Sequence, residues 1–189
     1  MPPLDPGIAL VLLAAGRGER FGGDKLRALF RGRPLWEWSA IAAEEAGFER
    51  RYVVIGDHSS IAQRSGWKRV VNSDCAQGMG TSIAAGVKAS EESSRIVIAL
   101  ADMPLVAPSH LRELALGDGT VFTRHDDATM GCPAGFSRPV FEQLQGLRGE
   151  AGARSLALSG ARPIDPPDQT TLADFDTRDD LSSAVQNKA

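Results

Sequence analysis

A chain of 189 residues with 42% hydrophobic and 24% charged residues is long enough to bury one sizeable core and short for two, so a single domain spanning 1–189 is expected and a disordered or fibrous protein is excluded. A formal net charge of -3, with Lys and Arg scattered rather than blocked together, offers no general attraction to nucleic acid. The two cysteines, Cys75 and Cys132, are far apart and form no CxxC pair, which argues against a disulfide framework and a zinc site and fits a reducing, cytoplasmic setting.

The first element, "IALVLL" (8–13), follows Asp5 and two prolines instead of basic residues. It therefore reads as a buried strand and not as a secretion signal, and no apolar stretch in the chain is long enough to span a bilayer. Then come a helical stretch at 35–48, where one of Trp36 and Trp38 is expected on the sheet, a strand "RYVVI" (51–55), a helix "SSIAQRSG" (59–66) and a strand "KRVV" (68–71). A helix over 81–93, a strand "RIVIAL" (95–100), a helix over 109–116 and a strand "TVFT" (120–123) complete the alternation. Strands alternating with helices predict a doubly wound α/β domain with a mostly parallel sheet. Beyond 123 the pattern becomes irregular, which suggests a short antiparallel part, two short helices and a Pro- and Asp-rich tail. His58, His110 and His125 stand singly, without metal-ligand spacing, and read as surface or helix residues.

Directly after the first strand, "LLAAGRGERFGGDKL" places Gly16, Gly18, Gly22 and Gly23 beside Arg20 and Lys25. Bare backbone with mobile positive charge at the C-terminal end of a strand suits a phosphate-rich ligand, although a solvated glycine turn is the plain alternative. Two familiar phosphate loops fail: Asp24 precedes and Leu26 follows Lys25, against a Walker A loop, and Phe21 stands where a dinucleotide fingerprint needs glycine. In "RIVIALADMP" an apolar strand ends in Asp102, either a turn aspartate or one carboxylate for holding Mg²⁺ beside a triphosphate. "QGMGTSIAAGV" begins a helix with glycines and hydroxyls whose unpaired N–H groups suit a nucleotide or an ordinary cap. Asp174 and Asp176 precede the last helix, where Asp176 or Thr177 would equally serve as N-cap.

Taken together, "LAAGRGERFGGDKL" resembles the signature L-A-x-G-x-[SG]-x-R-[MF]-G-x-x-K of nucleotidyltransferases with a glycosyltransferase-A-like fold, the MobA-like NTP transferases, and among them most closely the molybdenum cofactor cytidylyltransferases. "QGMGTSIAAGV", "ALADMPLV", "GCPAGFSRPVFEQLQGLRGEAGARSL" and "DFDTRDDL" agree in order and spacing, so the resemblance covers nearly the whole chain. It implies catalytic roles for Arg20, Lys25 and Asp102, and nucleotide contacts at Leu13, Ala14, Ala15, Gly16, Gly18, Arg20, Lys25, Gly78, Gly80, Thr81 and Ser82. It further implies Mg²⁺ held by Asp102 and Asp176, and acceptor contacts at Pro133 and Phe136. The implied reaction takes CTP and molybdenum-bound molybdopterin, with a recipient molybdoenzyme as a further partner. Cys132 departs from the family's usual His or Asn and reads as a packing residue, while Arg154 reads equally as an acceptor contact or a solvated helix residue. "LAAG" and "GMGTS" resemble the cytidylyl branch, whose guanylyl relatives tend to carry "LAGG". GTP in place of CTP, a sugar or polyol phosphate acceptor, and a non-catalytic cofactor carrier are the rival expectations.

Overall fold

The computed structural model describes residues 1–16, 18, 21–126, 128–156 and 160–186, and of 183–186 the backbone alone. Strand β1 (Ile8–Leu13) lies between β4 (Arg50–Ile55) and β6 (Arg95–Leu100), parallel to both, with Leu10 opposite Arg51 on one side and Val97 on the other. With β5 (Lys68–Val71), β7 (Val121–Arg124), β8 (Met130–Ser137) and β9 (Arg162–Ile164), the seven-stranded order is β5-β4-β1-β6-β8-β7-β9. Only β8 runs against its neighbours β6 and β7, while β9 is again parallel to β7. A separate hairpin joins β2 (Leu29–Phe30) to β3 (Arg33–Pro34).

Residues Ala9 to Leu12 are wholly buried, as an apolar central strand must be when helices cover both faces. Leu10, Leu12 and Val97 face helices α1 (Leu35–Glu45) and α3 (Pro108–Leu116) through Trp36, Ala40, Leu111 and Leu114. Ala9, Val11, Ile96 and Ile98 face α2 (Met79–Ala89) and α4 (Phe141–Gln145) through Ile83, Val87 and Leu144. Helix α2 lies so close to the sheet that a Cβ on Gly86 would come within 2.4 Å of Val11 Cγ1. Of the pair Trp36 and Trp38, Trp36 lies in the core, whereas Trp38 packs edge-on against Phe30 and donates its indole N–H to the Phe30 carbonyl at 2.7 Å. Among the described residues no helix is long and apolar enough to cross a membrane.

One expectation needs correction. Residues 59–66 form no helix; the segment is pinned by side chains, with Arg64 donating from Nε and Nη2 to the Glu44 carboxylate at 2.7 and 2.8 Å and Trp67 Nε1 donating to the same group at 2.7 Å. Eight residues gain few helical bonds against the nucleation cost, and the bidentate anchor together with buried Ile61 decides the conformation. The antiparallel part expected after 123 is the eight-residue β8. Gly, Cys and Pro give it no strand signature, but pairing on both edges satisfies its backbone.

Candidate active site

The C-terminal edge of the parallel strands positions the site. Ala14 donates its amide to the Val54 carbonyl at 2.8 Å, and Ala101 donates to Leu13 at 3.0 Å, so sheet pairing continues one residue past β1 and β6. Leu13 and Ala14 are consequently buried backbone supports, while half-buried Ala15 and exposed Gly16 open the loop toward solvent. Gly18 continues it at φ +59°. Arg20 lies outside the described residues. The loop then closes through Lys25 N–H to the Gly23 carbonyl at 2.9 Å and is fastened by buried Leu26.

That fastening delivers Lys25 to two carboxylates from distant parts of the chain. Its ammonium donates to Asp102 Oδ2 at 2.8 Å and to Asp176 Oδ1 at 2.7 Å. Burial by itself would lower the Lys25 pKa, but Asp102, then Asp176, outweigh it by charge and hydrogen bonding and hold the pKa above the usual lysine value. Asp102 stands where β6 leaves the sheet, and its carbonyl accepts the Phe175 amide at 3.2 Å. Phe175 is buried against Phe30, centroids 5.1 Å apart, and so anchors the tail that presents Asp176. Sequence reasoning did not single out Phe175; an aromatic residue between two aspartates was its only signal.

The last helix, α5 (Arg178–Gln186), is capped through Thr177 and Asp180. Thr177 Oγ1 accepts the Asp180 amide at 3.1 Å and Asp180 Oδ2 accepts the Thr177 amide at 2.7 Å, a reciprocal capping box. The Asp176 carboxylate meets the Lys25 ammonium.

Among the described residues no group of three or more His, Cys, Asp or Glu side chains is placed to hold a metal ion. The pair Asp102 and Asp176 nonetheless fits a hard divalent ion, which takes few carboxylates and completes its shell with water and phosphate oxygens. Their carboxylates already converge on one cation, the Lys25 ammonium.

The second loop differs from expectation. The Gly78 amide goes to the Cys75 carbonyl at 3.2 Å, Gly80 to Gly149 at 2.8 Å and Thr81 to Gly78 at 3.3 Å, so these three amides are bound within the protein. Thr81 and Ser82 are buried, and both hydroxyls accept from Asn72 Nδ2, at 2.9 and 3.0 Å. A Cβ on Gly78 would fall 2.4 Å from Gly149 backbone atoms. These glycines therefore seat α2 against the 148–151 loop, and Asn72, overlooked in the sequence, organises the hydroxyls. The adjoining groove of about 370 Å³ is lined by Asn72, Asp74, Gln77, Lys88 and Arg148 among others.

Because β8 is antiparallel, its first residues reach the same sheet edge. The Cys132 thiol is pushed up to about 12, first by burial and then by nearby Asp102, with Arg154 opposing, which disfavours the thiolate. Arg154 is exposed. Phe136 is wholly buried and packs edge-on against Phe122, centroids 5.5 Å apart, while buried Pro133 has its carbonyl occupied by Thr123 Oγ1 at 2.6 Å. Both residues are thus buried, Phe136 with Cys132 and Ala134 on the α2 and α4 face and Pro133, one residue out of phase, on the face of Thr123 and His110.

A family model for the MobA-like NTP transferase domain matches residues 10–163. Purine catabolism protein PucB of Bacillus subtilis (strain 168) is 30% identical over 190 residues, covering 91% of this chain and 93% of PucB. The structure of Rv0371C from Mycobacterium tuberculosis H37Rv in complex with manganese is similar at a TM-score of 0.72 and 27% identity, over 96% of this chain and 99% of that one. Molybdopterin-guanine dinucleotide biosynthesis protein A from Archaeoglobus fulgidus shares the fold, with a TM-score of 0.70 at 20% identity over 95% and 97% of the two chains. The manganese complex points to divalent metal use among these relatives. With the family model spanning most of the chain and the sheet-edge site built around Lys25, the protein belongs to the MobA-like NTP transferase family and is a nucleotidyltransferase.

Proposed function

We propose that this nucleotidyltransferase moves CMP from CTP to the terminal phosphate of molybdenum-bound molybdopterin, giving molybdopterin cytosine dinucleotide and pyrophosphate. The observation that carries phosphoryl chemistry is the convergence of the glycine loop's Lys25 with Asp102 and Asp176 at the sheet edge. Cytidine and the pterin acceptor are supported by the resemblance of "LAAG" and "GMGTS" to the cytidylyl branch.

In this reading the open backbone of Ala15, Gly16 and Gly18 orients the triphosphate. An acceptor phosphate oxygen attacks the α-phosphorus in line, the new P–O bond forms, and the bond to the β-phosphate breaks with its electron pair leaving on pyrophosphate. The nucleophile is already anionic, so alignment and charge neutralisation suffice and no general base is needed. Lys25, released from its carboxylates, and Arg20 offset the charge growing on the leaving group. Asp102 and Asp176 would hold Mg²⁺, which when bound neutralises charge on the phosphate oxygens.

Incubating the purified protein with Mg²⁺, each nucleoside triphosphate in turn and molybdenum-bound molybdopterin tests the assignment by product mass and pyrophosphate release. CTP is expected to give the cytosine dinucleotide. Preference for GTP overturns the choice of base, and absence of pyrophosphate with every triphosphate overturns turnover itself in favour of a carrier.

A further inference from the structure

The tail that brings Asp176 to Lys25 also brings a guanidinium to the same glycine loop. Arg178, the first residue of α5, holds its guanidinium carbon 5.6 Å from the centroid of the Phe21 ring. Its Nη2 lies 3.8 Å from where a Cβ on Gly23 would sit, with no other described atom within 4 Å of that point. Phe21 is buried, which makes it a fixed platform that holds a planar cation in place before any ligand arrives.

Charge balance at the loop points the same way. Lys25 is matched by two carboxylates, whereas none of the ion pairs among the described residues involves Arg178 or Arg27. Both arginines line, with Phe21, Asp24, Leu181 and Ser182, an open cavity of about 500 Å³ beside the loop. Among its described lining residues two guanidiniums stand against one carboxylate. Of the two, Arg178 is the one stacked on the loop's aromatic ring and abutting its glycine backbone. It meets the loop at the Phe21 ring, with its Nη2 beside Gly23.

We propose that Arg178 binds the pyrophosphoryl end of the nucleoside triphosphate, gripping the β,γ-phosphates from the side of the glycine loop that the tail covers. This rests on the reading of the glycine loop as the triphosphate site, and it adds a cation from the C-terminal tail to the one from the loop. Guanidinium geometry matches phosphate oxygens in a bidentate fashion. Arg178 therefore distinguishes triphosphate from monophosphate, whatever the base.

Calorimetric titration of wild type, Arg178→Ala and Arg178→Lys with CTP, GTP, CMP, GMP and pyrophosphate, each with Mg²⁺, tests this. Arg178→Ala is expected to weaken the preferred triphosphate and pyrophosphate by on the order of tenfold, to leave the matching monophosphate unchanged, and to keep the wild-type melting temperature, with Arg178→Lys recovering part of the loss. Equal triphosphate affinity in wild type and Arg178→Ala overturns the inference while the proposed function stands. Parallel loss of tri- and monophosphate binding with a lowered melting temperature also overturns it, since a purely structural residue behaves that way. Failure of the wild-type protein to bind any triphosphate overturns the triphosphate reading of the loop and the Arg178 inference together.

Discussion

Lys25 has one ammonium and two competing sets of partners. Without nucleotide it is shared by Asp102 and Asp176 at 2.8 and 2.7 Å; in the proposed reaction it turns to the leaving phosphates. Lys25→Ala removes both. Loss of a positioned charge from a phosphoryl-transfer site lowers kcat by roughly 10²–10³, and steady-state pyrophosphate release is expected to show this with the circular dichroism spectrum unchanged. Turnover within threefold of wild type would end the assignment of Lys25. The same residue shows how far sequence reading reaches at this scale: Lys25, Asp102 and Asp176 were each named from strand-end position or resemblance, but nothing in their separation along the chain said that one nitrogen touches both carboxylates.

Helix α2 packs on the sheet with little spare room. Its Gly86 faces Val11 and Val54, and a Cβ there would sit 2.4 Å from Val11 Cγ1 and 3.0 Å from Val54 Cγ2. Val11 and Val54 are fully buried β-strand residues and cannot yield without moving the sheet. Gly86→Ala is therefore expected to destabilise by about 1–3 kcal/mol despite alanine's better helix propensity, read as a lowered urea midpoint with an unchanged slope. A stabilised variant would show that α2 shifts freely on the sheet. At this scale periodicity located α2 but also promised a helix over 59–66. There the Glu44, Arg64 and Trp67 cluster overrides local propensity, because a charge-assisted, partly buried anchor outweighs the weak preference of eight residues.

The whole molecule registers pH through a histidine remote in sequence from the glycine loop. His110 is wholly buried on α3, with Nε2 2.8 Å from Thr123 Oγ1. Thr123 gives its only hydroxyl proton to the Pro133 carbonyl, so His110 Nε2 carries the N–H, and buried Nδ1 has no partner among the described residues. Burial, with a smaller push from His125 and against the pull of Asp165, lowers the His110 pKa from 6.5 to about 4. A folded-state pKa below the unfolded one means that the unfolded chain takes up the proton first. Stability from this group is thus complete above pH 6.5 and falls as pH drops toward 4, by about 3 kcal/mol at most. Urea unfolding at half-unit steps from pH 7 to 4.5 is expected to show the decline; a flat profile over that interval would place a charged or solvated imidazole at 110.

What the sequence by itself determined was the alternation of apolar, β-branched runs with helical segments, hence a mostly parallel sheet, and the clustering of glycine and cationic residues after its first strand. Those features are local, and local sterics and periodicity read them out directly. An antiparallel part was expected after 123, but the bounds of β8 were hidden by Gly, Cys and Pro, since its stability comes from pairing with β6 and β7 and not from its own residues. Only the tertiary structure decided that Phe136 packs inward, that the Gly80 amide belongs to Gly149 and that the tail closes on the glycine loop through Asp176 and Arg178. Such contacts join residues far apart in the chain, and the geometry of a folded core, rather than any spacing along the chain, fixes which of them meet.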